Sequence, residues 1–249
     1  MPTRRAARPS APSTKRTKRS TVPTTVKRTR GGHQPTGTSA NRRARAANGT
    51  TPKGERARAE LIRAARTVFE RMGYIDARVS DIVKEARMAH GSFYTYFESK
   101  LEVFQAVLTD MSKDFDEAVA HGAEDVPGDT VMNLERANRR YLETYRQHAK
   151  MMMLYDQVAT IDPEIAKRRI EGRRRHVARV AGTIERLQRR KMADSSVDAA
   201  PTAAALVAML ASYAYWSNVP PLDLDVATTA HIVTSIWARS IGLKAPKRR

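Results

Sequence analysis

Residues 88 to 100 read Met-Ala-His-Gly-Ser-Phe-Tyr-Thr-Tyr-Phe-Glu-Ser-Lys, and within them Ser92, Tyr94, Thr95 and Tyr96, followed by Lys100, crowd hydrogen-bond donors onto one short stretch. Donors of this kind grip phosphate oxygens and base edges. Phe93 and Phe97 lie four residues apart and therefore share a helix face that can be buried, leaving the hydroxyls partly outward. A core helix does not need a hydroxyl at nearly every exposed step, so the pattern points to DNA contact. A short amphipathic segment, Ser80 to Ala86, precedes the run by only a few residues. Two short helices joined by a tight turn make a helix-turn-helix.

Three elements must position that surface. A first helix is expected from about Glu55 to Met72, with Ala59, Ile62, Ala65, Arg66 and Phe69 marking one face at three- and four-residue spacing, and Gly73 ends it. A second is expected to begin near Ser80, whose hydroxyl can cap it, and to bury Ile82, Val83 and Ala86. The third is expected to open at Gly91, where the missing side chain lets the backbone approach DNA and exposes N–H groups to a phosphate. His90 reads equally well as a DNA contact or as a solvated turn residue.

The run Gly91-Ser92-Phe93-Tyr94-Thr95-Tyr96-Phe97-Glu98-Ser99-Lys100 resembles the recognition helix of the TetR family of bacterial repressors, whose form is Gly-Thr-Leu-Tyr-x-Tyr-Phe-x-Ser-Lys. Phe69, the Gly73-Tyr74 pair and Asp81-Ile82-Val83 fall where that family has its first-helix aromatic, its loop and its second helix. The likeness covers about fifty residues, Glu55 to Val107. It implies that Tyr94, Tyr96 and Lys100 hold phosphates, with Ser92 and Thr95 nearest the bases. Two positions depart from the family pattern. Arg78 stands for a common capping Thr, and Arg87 for a common turn Gly, where a positive φ makes a Cβ costly.

The formal charge of +19 is concentrated at one end: fourteen of the 45 Lys and Arg, and none of the 26 Asp and Glu, fall in residues 1–54. Residues 1–53 are read as a disordered basic arm, too poor in aliphatics to offset ordering entropy. Many prolines and no apolar stripe argue against an organelle transit peptide. The arm serves either as a solubilising leader or as a DNA contact, with Arg42, Arg43 and Arg45 entering a minor groove and Arg28 and Arg30 touching phosphates. Each phosphate neutralised would steepen the salt dependence of binding. Cysteine is absent, which excludes disulfides and thiol chemistry. No apolar run approaches the roughly 18 residues that span a bilayer. A cytoplasmic, bacterial location is expected, with nucleoid association when DNA is bound.

The fold is expected to be all-α: a three-helix DNA-binding domain at 54–100 and a helical effector-binding and dimerisation domain at 101–249. Helices are expected at Ser99 to Ala120, Val131 to Gln147, Lys150 to Thr160, and from Pro163, capped by Asp162, to about Lys191. A loop over Asp194 to Pro201 leads to an apolar helix, Thr202 to Ser217, closed by Pro220 and Pro221. A last helix covers Leu224 to Leu243. Small and apolar residues on the last two helices, among them Val207, Ala211, Val226, Ala230, Val233 and Trp237, suggest a dimer interface. By resemblance the pair forms a four-helix bundle across a two-fold axis, so a homodimer would meet a palindromic operator.

Phe104, Leu108, Tyr141, Tyr145, Met152, Tyr155 and Trp216 either line an apolar effector cavity, as the family resemblance implies, or are plain core. Lys167, Arg168, Arg169, Arg173, Arg174 and Arg175 are either a solvated face or a site for an anionic effector such as a coenzyme A thioester with an apolar tail. The effector itself is unidentified. His33, His90, His121, His148, His176 and His231 are scattered without metal-ligand spacing, and there is no HExxH, phosphate-cradling Gly loop or nucleophile elbow. No enzyme activity, cofactor or metal is expected. The alternative to a specific repressor is a protein that coats nucleic acid nonspecifically through its basic arm, told apart by its lack of sequence preference.

Overall fold

The structure, a computed structural model, describes residues 51–122, 129–218 and 225–243. Arg42, Arg43 and Arg45, with Arg28 and Arg30, lie outside the described residues, as do Pro220, Pro221 and Leu224. Among the described residues the chain forms helices and no strand, as expected.

Helix α1, Pro52–Asp76, starts where the Thr51 hydroxyl accepts from the Gly54 amide at 3.1 Å and Pro52 occupies the first turn. Its buried stripe is Leu61, Ile62, Ala65, Val68 and Phe69. Ala59, expected on that stripe, is exposed. Gly73 breaks the helix with φ 79° and ψ 167°, leaving one further turn. A Cβ there would meet nothing, so the requirement is torsional.

Helix α2, Val79–Glu85, opens one residue before Ser80, so Ser80 is exposed within its first turn and does not cap it. Instead the Asp81 carboxylate accepts from the Arg78 amide at 3.0 Å, which shows how the helix starts without a hydroxyl at position 78. Arg87 takes φ 54°. The Met88 amide donates to Val83 at 2.9 Å and the Arg87 amide to Lys84 at 3.1 Å, the paired bonds of a Schellman end. The turn therefore keeps its left-handed geometry with Arg in place of Gly. Helix α3, His90–Tyr96, opens one residue earlier than the sequence suggested. Phe93 and Phe97 are fully buried, as expected.

Helix α4, Lys100–Gly122, follows directly, with the Ser99 hydroxyl accepting from the Glu102 amide at 3.1 Å. Phe104 packs edge-on against Phe69, ring centres 5.3 Å apart, and against Tyr74 at 4.8 Å. The apolar core is thus continuous across residue 100, from Leu61 through Phe104 into the remaining helices.

Those helices are α5, Thr130–Gln147; α6, Ala149–Ala159; α7, Pro163–Arg189; α8, Ala199–Trp216; and α9, Val226–Ser240. Carboxylates cap four of them: Asp129 accepts from Met132, Asp162 from Ile165, Asp198 from Ala200 and Asp225 from Thr228. Helix α8 begins three residues before the expected Thr202, because Asp198 caps it and Pro201 falls in the first turn, where no amide is needed. Helix α5 packs on α4 and α9, α7 packs on α6 and α8, and α1 rests on α4 and α6. Arg66 ties α1 to this bundle by donating to the Gln147 carbonyl at 3.2 Å.

Candidate nucleic-acid interface and ligand chamber

With Phe93 and Phe97 buried, geometry turns the polar residues of α3 outward. Tyr94 is exposed, Ser92, Thr95 and Tyr96 are half-buried, and His90 and Gly91 are open to solvent. The His90 and Tyr94 rings stack at 5.6 Å. Arg78, Lys84 and Arg87 are exposed cations on the same motif with no ion pair among the described residues. Sequence reasoning gave them no DNA role; their positive charge beside the recognition run was the available signal.

Lys100 departs from its expected role. Its ammonium donates to the carbonyls of Tyr74 at 2.7 Å, Ile75 at 3.1 Å and Ala77 at 2.8 Å, and lies 4.6 Å from the Tyr74 ring centre. An ammonium has three donors, and all three are engaged. Burial lowers its pKa, with Asp76 acting in the opposite sense. Lys100 binds α4 to the end of α1 and leaves no donor for a phosphate.

Two cavities open inside the bundle. The first, about 140 Å³, lies between α4, α5, α6, α7 and α8, and Leu108, Tyr141, Met152 and Tyr155 are among the residues that line it. The second, about 300 Å³, lies between α5, α7, α8 and α9 with an apolar wall that includes Val180, Ile184, Leu206 and Leu210. Tyr141, His176 and Arg179 border both.

Three residues assigned to the cavity lie elsewhere. Phe104 belongs to the aromatic cluster with Phe69. Tyr145 is buried beside an open groove between α7 and α8, and Trp216 is 48% exposed at the end of α8. The supposed dimer residues divide similarly. Val207, Ala230, Val233 and Trp237 are buried within the chain itself. Val207 and Ala211 line the first cavity and Trp237 the second, while Val226 stays half-buried. The exposed residues of α8 and α9 include Ala204, Ser212, Trp216, Ile232 and Ile236.

The basic stretch of α7 is not a uniformly solvated face. Arg168, Arg169, Arg173 and Arg175 border the first cavity, joined by Arg179. Arg169 pairs with Asp156 at 2.7 Å and lies over the Tyr155 ring at 5.2 Å, and Arg179 pairs with Asp116 at 2.9 Å. Arg168 donates to the Thr109 hydroxyl at 2.9 Å and also hydrogen-bonds Tyr155. Burial holds the His176 pKa down to about 4, Arg179 and Arg173 adding to the effect, so the ring is neutral near pH 7. Burial raises the hydroxyl pKa values of Tyr141 and Tyr155. Among the described residues no three His, Asp or Glu side chains are grouped to hold a metal, and no helix is long and apolar enough to cross a membrane.

A recognition helix braced by two others on a left-handed turn, joined to a hollow helical bundle, defines a helix-turn-helix protein with a companion helical domain. Residues 61–107 match the bacterial regulatory proteins of the tetR family. The chain is 37% identical over 90 residues to the HTH-type transcriptional regulator YdgC of Bacillus subtilis, across 36% of this chain and 44% of that one. It spans less than half the length of the curated relatives it matches. In fold it is similar to the fatty acid degradation regulator FadR of Bacillus halodurans, with a TM-score of 0.62 at 17% identity over 76% of this chain and 97% of that one. It also resembles SmeT in its triclosan complex, with a TM-score of 0.65 at 16% identity over 77% and 96%. The likeness to the tetR family of bacterial regulatory proteins thus rests on residues 61–107, which hold the helix-turn-helix.

Proposed function

We propose that the protein is a homodimeric, sequence-specific DNA-binding regulator of transcription, of repressor type, whose affinity for a palindromic operator is changed by a small molecule held in the bundle. The observation that carries this reading is α3 itself: two fully buried phenylalanines fix its orientation while Ser92, Tyr94, Thr95 and Tyr96 present hydroxyls on the other side. Tyr94 and Tyr96 hold phosphates, Ser92 and Thr95 approach base edges, and Ser80, His90, Gly91 and the exposed cations Arg78, Lys84 and Arg87 flank them. Lys100 is left out of this set because its donors are engaged.

A second copy covers the open face of α8 and α9, burying Trp216, Ile232 and Ile236. The two-fold axis then sets two recognition helices about 34 Å apart, one helical turn of DNA. Helix α4 couples the sites. Its start is bonded to the head through Lys100, and Leu108, Met111 and Phe115 farther along it line the first cavity. A ligand that favours one position of α4 shifts the spacing of the two heads, and its leverage equals its difference in affinity for the two positions. The basic arm, with Arg42, Arg43 and Arg45, adds sequence-independent affinity.

Selection from a random DNA pool at two salt concentrations, with the full chain and with a chain beginning at Gly54, tests the reading. Both should enrich one palindrome, the shorter chain more weakly and with a shallower salt dependence. No consensus, or binding that vanishes with the arm, would overturn it in favour of nonspecific coating.

A further inference from the structure

The first cavity is bordered by five arginines, of which two have a carboxylate partner among the described residues. Arg169 is neutralised by Asp156 and Arg179 by Asp116. Arg168, Arg173 and Arg175 have no ion pair among the described residues, although all three border the same opening. Their charges act inward as well as outward: Arg168 and Arg175 act on the Tyr155 hydroxyl and Arg173 on that of Tyr141, each lowering a pKa that burial raises. Unpaired guanidinium groups repel one another, and holding several around one opening is unfavourable unless an anion relieves it. Guanidinium also binds carboxylate or phosphate through paired parallel hydrogen bonds.

Tyr141 and His176 border both this cavity and the second, of about 300 Å³, one wall of which is aliphatic: Val180, Ile184, Leu206 and Leu210. His176 borders both cavities as a neutral ring, and the exposed Arg179, Arg186 and Arg190 also border the second. Arginines around the openings and an aliphatic wall between α7 and α8 have the polarity of an amphiphile with a negative head.

We propose that the effector is an amphipathic anion whose carboxylate or phosphate group is bound by Arg168, Arg173 and Arg175 and whose apolar body passes Tyr141 into the chamber between α5, α7, α8 and α9. The proposal rests on the reading of the bundle as an effector-binding domain and names the chemical class of its ligand. The head group is a free carboxylate or the phosphates of a coenzyme A thioester, which offer the same negative oxygens to the arginines.

Calorimetric titration of the full chain with decanoate, decanoyl-coenzyme A, decanol and coenzyme A alone tests it. At least one of the two decanoyl anions should bind about tenfold or more tighter than decanol. If the thioester is the tighter, the phosphates supply the head; if decanoate is, the carboxylate does. In the Arg173→Gln, Arg175→Gln double variant that preference should fall to within about threefold, with decanol binding and the thermal midpoint unchanged, since both side chains are exposed. Across the series from butanoate to decanoate, affinity should rise about threefold per methylene. Decanol binding as tightly as the anions, a preference that survives the double variant, a flat chain-length series or no binding at all would each overturn the proposal. DNA does not enter these titrations, so a failure here leaves operator recognition standing, and failure to enrich a palindrome leaves the ligand result standing.

Discussion

The ammonium of Lys100 reaches back across 26 positions to donate to the Tyr74 carbonyl at 2.7 Å, and its other two donors meet Ile75 and Ala77. Those carbonyls follow the break at Gly73, where the helical ladder no longer serves them. One cation thereby satisfies three backbone acceptors and fixes the start of α4 against the end of α1. Lys100→Met should lower stability by about 2 kcal/mol and weaken binding to all DNA sequences alike. Tyr94→Phe should weaken binding without moving the thermal midpoint, and Thr95→Ala should chiefly change which operators are preferred. Thermal unfolding beside binding to a panel of operator variants separates the three. A Lys100→Met protein with unchanged stability would return Lys100 to the DNA.

Arg87 accepts a left-handed backbone, φ 54°, that a Cβ makes costly. Its side chain is exposed. Arg87→Gly should therefore raise stability by about 1 kcal/mol, read as a higher denaturant midpoint at constant slope. If Arg87 touches phosphate, the same variant should also flatten the salt dependence of DNA binding. A lower midpoint would mean the exposed side chain contributes more than the turn costs it.

Val233 and Ile236 lie three residues apart on α9 and have opposite fates, one fully buried and the other 39% exposed. Ile236→Asp should give a folded monomer by analytical ultracentrifugation. Val233→Asp should fail to fold, because it places a charge in the core without a partner. A dimer that survives Ile236→Asp would move the interface off this face.

His176 takes a proton in the folded chain only near pH 4, against a usual value of 6.5. Burial is the main cause, Arg179 and Arg173 add to it, and Asp116 opposes it. Between these values the unfolded chain binds the proton and the folded one does not, so stability should fall as pH drops from about 6.5 towards 4 and should not depend on this group above that range. At the lower end the loss is about 2 to 3 kcal/mol. His148, also lowered by burial, contributes a loss of the same sign. Chemical unfolding from pH 4 to 8 should show a shallower decline in His176→Gln than in the native chain. Equal slopes would mean His176 is free to charge.

Much of this molecule is written locally. The recognition motif, the four-residue spacing of Phe93 and Phe97, and the Asp162-Pro163 start of α7 all act within a turn or two of helix, so spacing and cap chemistry reveal them. Where local chemistry failed, a competing local group had prevailed: Asp81 rather than Ser80 at the start of α2, and Asp198 ahead of Thr202 at the start of α8. The sequence by itself thus determined the all-helical class, the helix-turn-helix and its outward hydroxyls.

Tertiary structure alone decided which groups face one another. Helix α8 is apolar around most of its circumference, so periodicity could not tell that Val207 points into the chain while Ala204 points out of it. Lys100 looked like a phosphate ligand until the carbonyls that occupy it came within 3.1 Å. The arginines of α7 became a cavity mouth only when α4, α5 and α6 brought Asp116, Tyr141 and Tyr155 to it. Hydrogen bonds and charge pairing depend on distance in space, and residues dozens of positions apart acquire that distance only when the helices pack.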